Sequence, residues 1–93
     1  MTNIDNPKII NKLKNIFGVL NNINRIRIIF LCLEKEMNVT ELSKKLKLNY
    51  SVTSEYISML EKAGLIRKIR NKDRTINVKS LVKINENGEV IRI

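Results

Sequence analysis

The chain has 93 residues, and 43% of them are hydrophobic, a composition that predicts one small folded domain rather than a disordered tail. It holds no histidine and a single cysteine, which excludes histidine-based catalysis, the usual zinc sites and a disulfide within the chain. Eighteen basic residues against nine acidic ones give a net charge of +9, a balance that suggests nucleic acid or another anionic partner.

The sequence lacks the signals of an enzyme and of a membrane protein. No apolar run approaches the roughly 18 residues of a membrane span, and the start "MTNIDNPKII" does not have the anatomy of a signal peptide. It contains no phosphate-binding loop, metal-ligand cluster or nucleophile–base pair. We therefore expect a cytoplasmic protein that is not an enzyme, uses no cofactor and binds no membrane.

Two helices are predicted in the first third of the chain. Residues 7–20 carry apolar side chains at three-to-four spacing, with Asn6 suited to the helix cap and Pro7 to the first turn. The apolar stripe of this helix consists of Ile9, Ile10, Leu13, Ile16, Phe17 and Leu20. Residues 24–35 predict a second helix with little polar face, so we expect it to be buried centrally.

A short helix, a tight turn and a longer helix follow. Residues 40–47 predict the short helix, with Thr40 as its cap. The longer helix is predicted over about 50–62 and stops at Gly64, a residue typical of helix C-termini. These elements form a predicted helix-turn-helix over about 40–63, whose second helix fits the DNA major groove.

The last third of the chain changes to the alternating pattern of strands. Residues 65–79 predict a β-hairpin around the turn "NKD", and residues 81–93 predict a second hairpin with a tight turn at "NG". Residues 64–80 contain six basic residues and one acid, which is more than half of the net charge. We expect one mainly α domain with a small β component over residues 1–93, and a basic first hairpin that acts as a wing.

The run "NRIRIIFLCLEKEMNVTELSKKLKLNYSVTSEYISMLEKAGLIRKI" resembles the winged-helix core of ArsR-type transcriptional regulators. The family pattern appears here as Arg25–Ile29, Val39–Leu46, Ser54 and Leu60–Ile66. MarR-like and archaeal-type relatives share much of this spacing and remain alternatives. The metal-sensing members carry a Cys-x-Cys in the third helix, or carboxylate and His ligands in the last helix. The third helix here holds neither Cys nor His, so we do not expect those types of metal sensor.

The second helix of the motif presents a polar face that we expect to meet DNA bases. Short hydroxyl side chains allow a close approach to base edges, and they donate or accept hydrogen bonds. The predicted base-contacting residues are Tyr50, Ser51, Val52, Ser54, Glu55 and Ser58. Glu55 suits two roles, because it accepts either from the amino group of a cytosine or from a nearby Lys or Arg in an ion pair.

Basic side chains beside that helix are predicted to contact DNA phosphates. Lys44, Lys45 and Lys47 lie on or just after the short helix, and Arg67, Arg70, Lys72 and Arg74 lie in the wing. Phosphate contacts fix the position of a protein on DNA without reading the sequence. The alternative is a set of solvated surface charges with no partner.

These patterns predict a regulator that binds double-stranded DNA by sequence. The resemblance implies a homodimer formed through the apolar stripe of the first helix, most often with a repressor role. That stripe alternatively covers the core of its own chain. Two other functions remain open: a winged helix that docks on protein or RNA, and a non-specific chromatin-type DNA binder. Cys32, inside an apolar run, is expected to be a buried structural thiol, with a redox sensor as the alternative.

Overall fold

A computed structural model describes residues 6–84, 86–87 and 89–92. Gly88, which we predicted in the turn of the second hairpin, lies outside these residues. The elements in chain order are α1 (Pro7–Leu20), α2 (Ile23–Glu34), β1 (Met37–Asn38), α3 (Val39–Leu46), α4 (Tyr50–Lys62), β2 (Ile66–Arg70), β3 (Ile76–Ser80), β4 (Val82–Ile84) and β5 (Val90–Arg92). The predicted mainly α fold with a small β component is confirmed, and each predicted helix begins and ends within one residue of the observed one.

An asparagine is the N-cap residue of each of these four helices. The side-chain oxygens of Asn6, Asn22, Asn38 and Asn49 accept hydrogen bonds from backbone N–H groups in the first turn of the helix that follows, at 2.8–3.4 Å. Each bond satisfies a donor that has no partner within the helix. The prediction that Thr40 caps α3 is wrong, because Asn38 is the cap and Thr40 lies inside the helix.

The turn between α3 and α4 and the end of α4 both use left-handed backbone. Lys47 ends α3 with φ 56°, and the N–H of Leu48 reaches back 3.0 Å to the carbonyl of Ser43. Gly64 has φ 77°, a conformation that costs glycine little, and it follows α4 as predicted. The N–H of Leu65 then bonds the carbonyl of Leu60 at 3.1 Å, which sends the chain into β2.

Three strands form one antiparallel sheet in the order β1-β3-β2, with Met37 and Lys68 both paired to Val78. β2, β3 and the turn between them are the wing. Sequence reasoning missed β1 because a two-residue strand is too short to show alternation. β4 and β5 pair as a separate antiparallel hairpin, as predicted.

The core lies between α2, α3, α4 and the inner face of the wing. The buried apolar residues are Ile28, Ile29, Cys32, Met37, Val39, Leu42, Ile57, Leu60, Ile66, Val78 and Val82. We expected α2 to be buried on most sides, but Ile23 and Phe30 are more than half exposed. Over the described residues, no single helix is long and apolar enough to cross a membrane; α1 and α2 pass that test jointly but are bent by 92° at their break.

Candidate nucleic-acid interface

The predicted recognition helix, α4, is fixed by one face and open on the other. Thr53, Ile57 and Leu60 are completely buried against the core. The Thr53 hydroxyl donates to the carbonyl of Asn49 at 3.0 Å, so this polar atom is satisfied inside the protein. Because three consecutive turns are anchored, the opposite face is held in a defined orientation.

The six predicted base-contacting residues lie on or beside this open face. Tyr50, Ser51 and Glu55 are exposed, whereas Val52, Ser54 and Ser58 are partly buried along its edges. Among the described residues Glu55 forms no ion pair.

Ser58 already has a partner within the protein. Its hydroxyl oxygen accepts a hydrogen bond from the Nζ of Lys68 at 2.8 Å. The hydroxyl hydrogen stays available as a donor. Ser58 therefore lies at the boundary between α4 and the wing rather than at the middle of the open face.

A second contact joins α4 to the wing at the same place. The backbone N–H of Lys68 donates to Oε2 of Glu61 at 3.1 Å, and the Lys68 ammonium lies 3.8 Å from Oε1 of that carboxylate. Sequence reasoning did not single out Lys68 or Glu61 as site residues. Glu61 lies in α4 and Lys68 in β2, so neither the helical nor the strand period relates the two residues.

The wing distributes its cations over two faces and a tip. Arg67 and Lys79 are cross-strand partners, so they share one face, and both are exposed. Lys68 and Arg70 belong to the other face, which carries the buried Val78 further along. The structure thus places Arg67 and Arg70, both predicted to contact phosphates, on opposite faces of the wing.

Lys72 and Arg74 lie together in the turn at the wing tip, and both are exposed. The turn is closed by two backbone bonds, from Asn71 N–H to the Thr75 carbonyl at 2.9 Å and from Arg74 N–H to the Asn71 carbonyl at 3.1 Å. Arg74 adopts φ 72°, the left-handed conformation that follows a type I turn in three-residue hairpin loops.

Asp73 stabilises the same turn. Its Oδ1 accepts from the Thr75 hydroxyl at 2.6 Å and from the Thr75 N–H at 3.0 Å. These hydrogen bonds lower the pKa of the Asp73 carboxyl, the side-chain bond contributing most. The single acid of the wing tip therefore orders the loop that presents Lys72 and Arg74.

Three further predicted cations, Lys44, Lys45 and Lys47, are exposed at the C-terminal end of α3. Lys44 and Lys45 lie in its last turn, where a cation also interacts favourably with the helix dipole. Lys44 and Lys45 therefore have a structural role that does not depend on DNA.

A cation that sequence reasoning missed lies beside α4, away from the wing. The guanidinium carbon of Arg25 is 5.2 Å from the centroid of the Tyr56 ring, and its Nη1 is 3.0 Å from the sulfur of Met59. At about 100° per residue, Tyr56 and Met59 lie on the opposite flank of α4 from Glu61. Arg25 forms no ion pair in the described part of the chain, and its Nε is buried without a hydrogen-bond partner.

The structure has two features that bear on metal binding and thiol reactivity. The residues that it describes contain no group of three or more His, Cys, Asp or Glu side chains placed to hold a metal ion. Cys32 is only 5% exposed, and burial raises the pKa of its thiol to about 12, against a smaller lowering by a backbone hydrogen bond involving Met37. A thiol that stays protonated is a poor nucleophile.

A short helix, a tight turn, an anchored second helix with an open polar face, and a basic hairpin beside it define a winged helix-turn-helix DNA-binding domain. Solved structures of that class match this chain. HlyU from Vibrio cholerae is 25% identical, with 81% of this chain and 80% of that one covered and a TM-score of 0.70. NolR from Sinorhizobium fredii is 24% identical over 86% and 81% of the two chains, with a TM-score of 0.72.

A third match is the homodimeric winged helix-turn-helix DNA-binding domain of a possible ArsR-family regulator from Mycobacterium bovis. It is 16% identical over 85% of this chain and 72% of that one, with a TM-score of 0.76. A search of curated proteins finds no match. The sequence profile described as "Bacterial regulatory protein, arsR family" matches residues 22–68, half of the chain. The chain therefore belongs to the ArsR family of transcriptional regulators.

Proposed function

We propose that this protein binds double-stranded DNA by sequence, as a homodimer in the cytoplasm, and represses transcription by occupying a promoter. The observation that carries the proposal is the placement of α4. Its open face offers short polar side chains, and cations lie on both of its flanks: Arg25 beside Tyr56, and the wing beyond Ser58. Phosphates border the major groove on both sides, so this arrangement matches the charge pattern of duplex DNA.

Base reading is assigned to the exposed part of α4. The hydroxyls of Ser51 and Ser54 suit donor or acceptor sites on base edges, and the apolar Val52 suits a thymine methyl group. Glu55 is an acceptor only, and a cytosine amino group is the base donor that it fits. Glu55 is exposed on this face, so its carboxylate is accessible to a base edge.

Phosphate binding is assigned to the cations that have no acidic partner in the described part of the chain. On the wing these are the four predicted residues Arg67, Arg70, Lys72 and Arg74, and also Lys79. Arg25 and the lysines at the end of α3 add contacts on the other side of the motif. This set supplies the sequence-independent share of affinity, which falls steeply with salt concentration.

The homodimer rests on the exposure of α1. Ile9, Leu13 and Phe17 are 51%, 45% and 68% exposed, and no residue of α1 is buried. An apolar helix face of this kind is typical of an interface rather than a solvated surface. Ile10 also lies exposed on this stripe, whereas Ile16 and Leu20 are partly buried at its inner edge. The homodimeric Mycobacterium bovis domain with the same fold supports this proposal.

Selection of bound sequences from a random pool of duplex DNA tests the function. A two-fold dimer places its recognition helices about one DNA turn apart, so we expect an enriched near-palindrome with that half-site spacing. Selection with Glu55→Ala is expected to change the preferred base at one position of each half-site. Salt-sensitive binding with no enriched sequence would instead support the non-specific chromatin-type binder, and no binding would support a protein- or RNA-docking module.

A further inference from the structure

One acidic side chain holds the wing against the recognition helix. Glu61 lies in the last turn of α4, and its Oε2 accepts from the backbone N–H of Lys68 in the middle of β2 at 3.1 Å. Its Oε1 lies 3.8 Å from the ammonium of Lys68, and that ammonium donates to Ser58 at 2.8 Å. We call Glu61, Lys68 and Ser58 the latch.

The backbone N–H of Lys68 is free to make this bond because β2 is an edge strand. In the order β1-β3-β2, the side of β2 away from β3 has no strand partner among the residues that the structure describes. Alternate N–H groups of an edge strand point outward, where they normally meet water. In the described part of the chain, both hydrogen bonds between β2 and α4 use Lys68. Lys68 and its two partners therefore supply the polar contacts that fix the wing against the helix, beside the packing of Ile66 and Val78 in the core.

Glu61 occupies a position where an acid is otherwise unfavourable. The C-terminal end of a helix carries partial negative charge, which repels a carboxylate. The acid also lies beside the DNA-facing part of a protein whose net charge is +9, so it opposes attraction to phosphate. Its side chain remains 42% exposed, so it adds little to the core. A residue that breaks two local rules at once is expected to serve function.

We propose that Glu61 is a positioning residue for DNA recognition, which sets the angle of the wing relative to α4 and thereby the base pairs at which the wing meets the DNA. The inference rests on the proposed function. The recognition helix fixes the register in the major groove, and the wing then reaches the flanking backbone or minor groove at a distance that the latch determines. A wing that is already oriented loses less freedom on binding, and it favours flanking sequences whose groove shape fits that orientation.

The test compares Glu61→Ala and Glu61→Gln with a matched control, Glu36→Ala. Glu36 is an exposed acid that forms no side-chain hydrogen bond or ion pair within the described part of the chain, so its removal changes the net charge equally and leaves the latch intact. The readouts are selection from a random duplex pool and hydroxyl-radical footprinting of the selected site. Folding of each variant is checked by circular dichroism.

We expect Glu61→Ala to lose preference at the flanking positions, on the order of fivefold per position, and to keep the preference at the central positions that α4 reads. Protection of the flanking backbone should weaken in parallel. Glu61→Gln retains an acceptor for the Lys68 N–H and is expected to recover part of the flanking preference. Glu36→Ala should show the wild-type pattern.

An equal loss at central and flanking positions, or no loss at all, would overturn the inference. If Glu61→Ala does not fold, Glu61→Gln and Lys68→Met carry the test, since Lys68→Met removes the ammonium and keeps the backbone N–H. Backbone ¹⁵N relaxation of the free protein adds a readout that does not depend on DNA: the wing should gain mobility in Glu61→Ala but not in Glu36→Ala. A wild type that selects no sequence contradicts the proposed function, whereas unchanged wing mobility contradicts the latch alone.

Discussion

The guanidinium of Arg25 stacks on the ring of Tyr56 at 5.2 Å, so the first turn of α2 contacts the recognition helix directly. The contact fixes a cation beside the open face of α4, on the flank opposite the wing. Since Nε of Arg25 is buried without a hydrogen-bond partner in the described part of the chain, the residue is not there to complete an internal polar network.

Arg25→Met keeps an unbranched apolar chain beside Tyr56 and removes the charge. We expect weaker binding to all DNA sequences and a fall of about one in the slope of log affinity against log salt, because one phosphate contact is lost. The stability cost should stay within about 1 kcal/mol, the worth of an exposed cation–π contact. Arg27→Met is the matched control, since Arg27 is exposed on another face of the same helix. Equal salt slopes for the two variants would count against a phosphate contact by Arg25.

Asn38 and Glu41 satisfy each other at the start of α3. The Asn38 side chain accepts from the Glu41 N–H at 2.8 Å, and the Glu41 carboxylate accepts from the Asn38 N–H at 3.3 Å. We expect Asn38→Ala to lower the free energy of unfolding by about 1 kcal/mol, the usual worth of a helix cap. Thr40→Ala, inside the exposed first turn, should change it by less than about 0.5 kcal/mol. Urea denaturation measures both, and the reverse order would restore Thr40 as the cap.

The misplaced cap illustrates where sequence reasoning reached its limit. The spacing of apolar residues predicted all four helices, because each helix carries its apolar side chains along one face at the helical period. Thr40 is a good capping residue by type. Asn38, two residues earlier, is the cap instead, because it is the last residue of β1 and has the extended backbone conformation of an N-cap. A strand of two residues gives no periodic signal, so the start of α3 could not be placed from the sequence.

The candidate site also had one part that the sequence predicts and another that it does not. The polar face of α4 was predictable, since Thr53, Ile57 and Leu60 recur at helical spacing and their burial fixes the opposite face. The contacts of Lys68 and Arg25 were not predictable, because each joins two different elements, and residue spacing does not give the relative placement of two elements. Only the packing of α2 and β2 against α4 brings these cations to its flanks.

Substitutions of Arg74, whose backbone is left-handed, distinguish the stability of the wing from its contribution to DNA binding. A non-glycine residue at φ 72° costs roughly 1 kcal/mol relative to glycine. Arg74→Gly is therefore expected to raise the free energy of unfolding by up to about 1 kcal/mol and to weaken DNA binding at low salt. Arg74→Ala removes the same charge and keeps the strain, so it should weaken binding equally without added stability. Thermal denaturation and binding titrations distinguish the pair, and equal stabilities would show that the turn is not strained.

Because Cys32 is buried, the free energy of unfolding at alkaline pH depends on the protonation of its thiol. Burial raises the pKa of the folded-state thiol from an ordinary value of 9.0 to about 12. Between these values the unfolded chain loses this proton and the folded chain keeps it, so the unfolded state gains stability as pH rises. We expect the contribution of the protonated Cys32 thiol to the free energy of unfolding to be complete below pH 9 and to fall steadily from about pH 9 to 12.

Cys32→Ala provides the comparison, because it removes the titrating group and leaves the other ionisable residues in place. Its stability should be lower at neutral pH, owing to the lost volume, and should fall less than that of the wild type above pH 9. Native protein should also react slowly with a thiol reagent at pH 8 and rapidly in urea. Fast labelling of the native protein would instead favour an accessible, redox-responsive thiol.

The exposed face of α1 gives the proposed dimer a direct test. Phe17 is 68% exposed on the apolar stripe, and Asn11 is exposed on the opposite side of the same helix. Phe17→Glu places a charge into the proposed interface of each subunit, where it would be desolvated and lie near its symmetry mate. We expect sedimentation at micromolar concentration to show a dimer for the wild type and a monomer for Phe17→Glu. Asn11→Glu adds the same charge to the polar side and should remain dimeric. A wild-type monomer, or a dimeric Phe17→Glu, would remove α1 from the interface and leave the stripe without a partner.

If the prediction holds, Phe17→Glu should also bind a single half-site as well as the wild type does. It should lose the added affinity for the full near-palindrome, because only the coupling of two recognition helices has been removed.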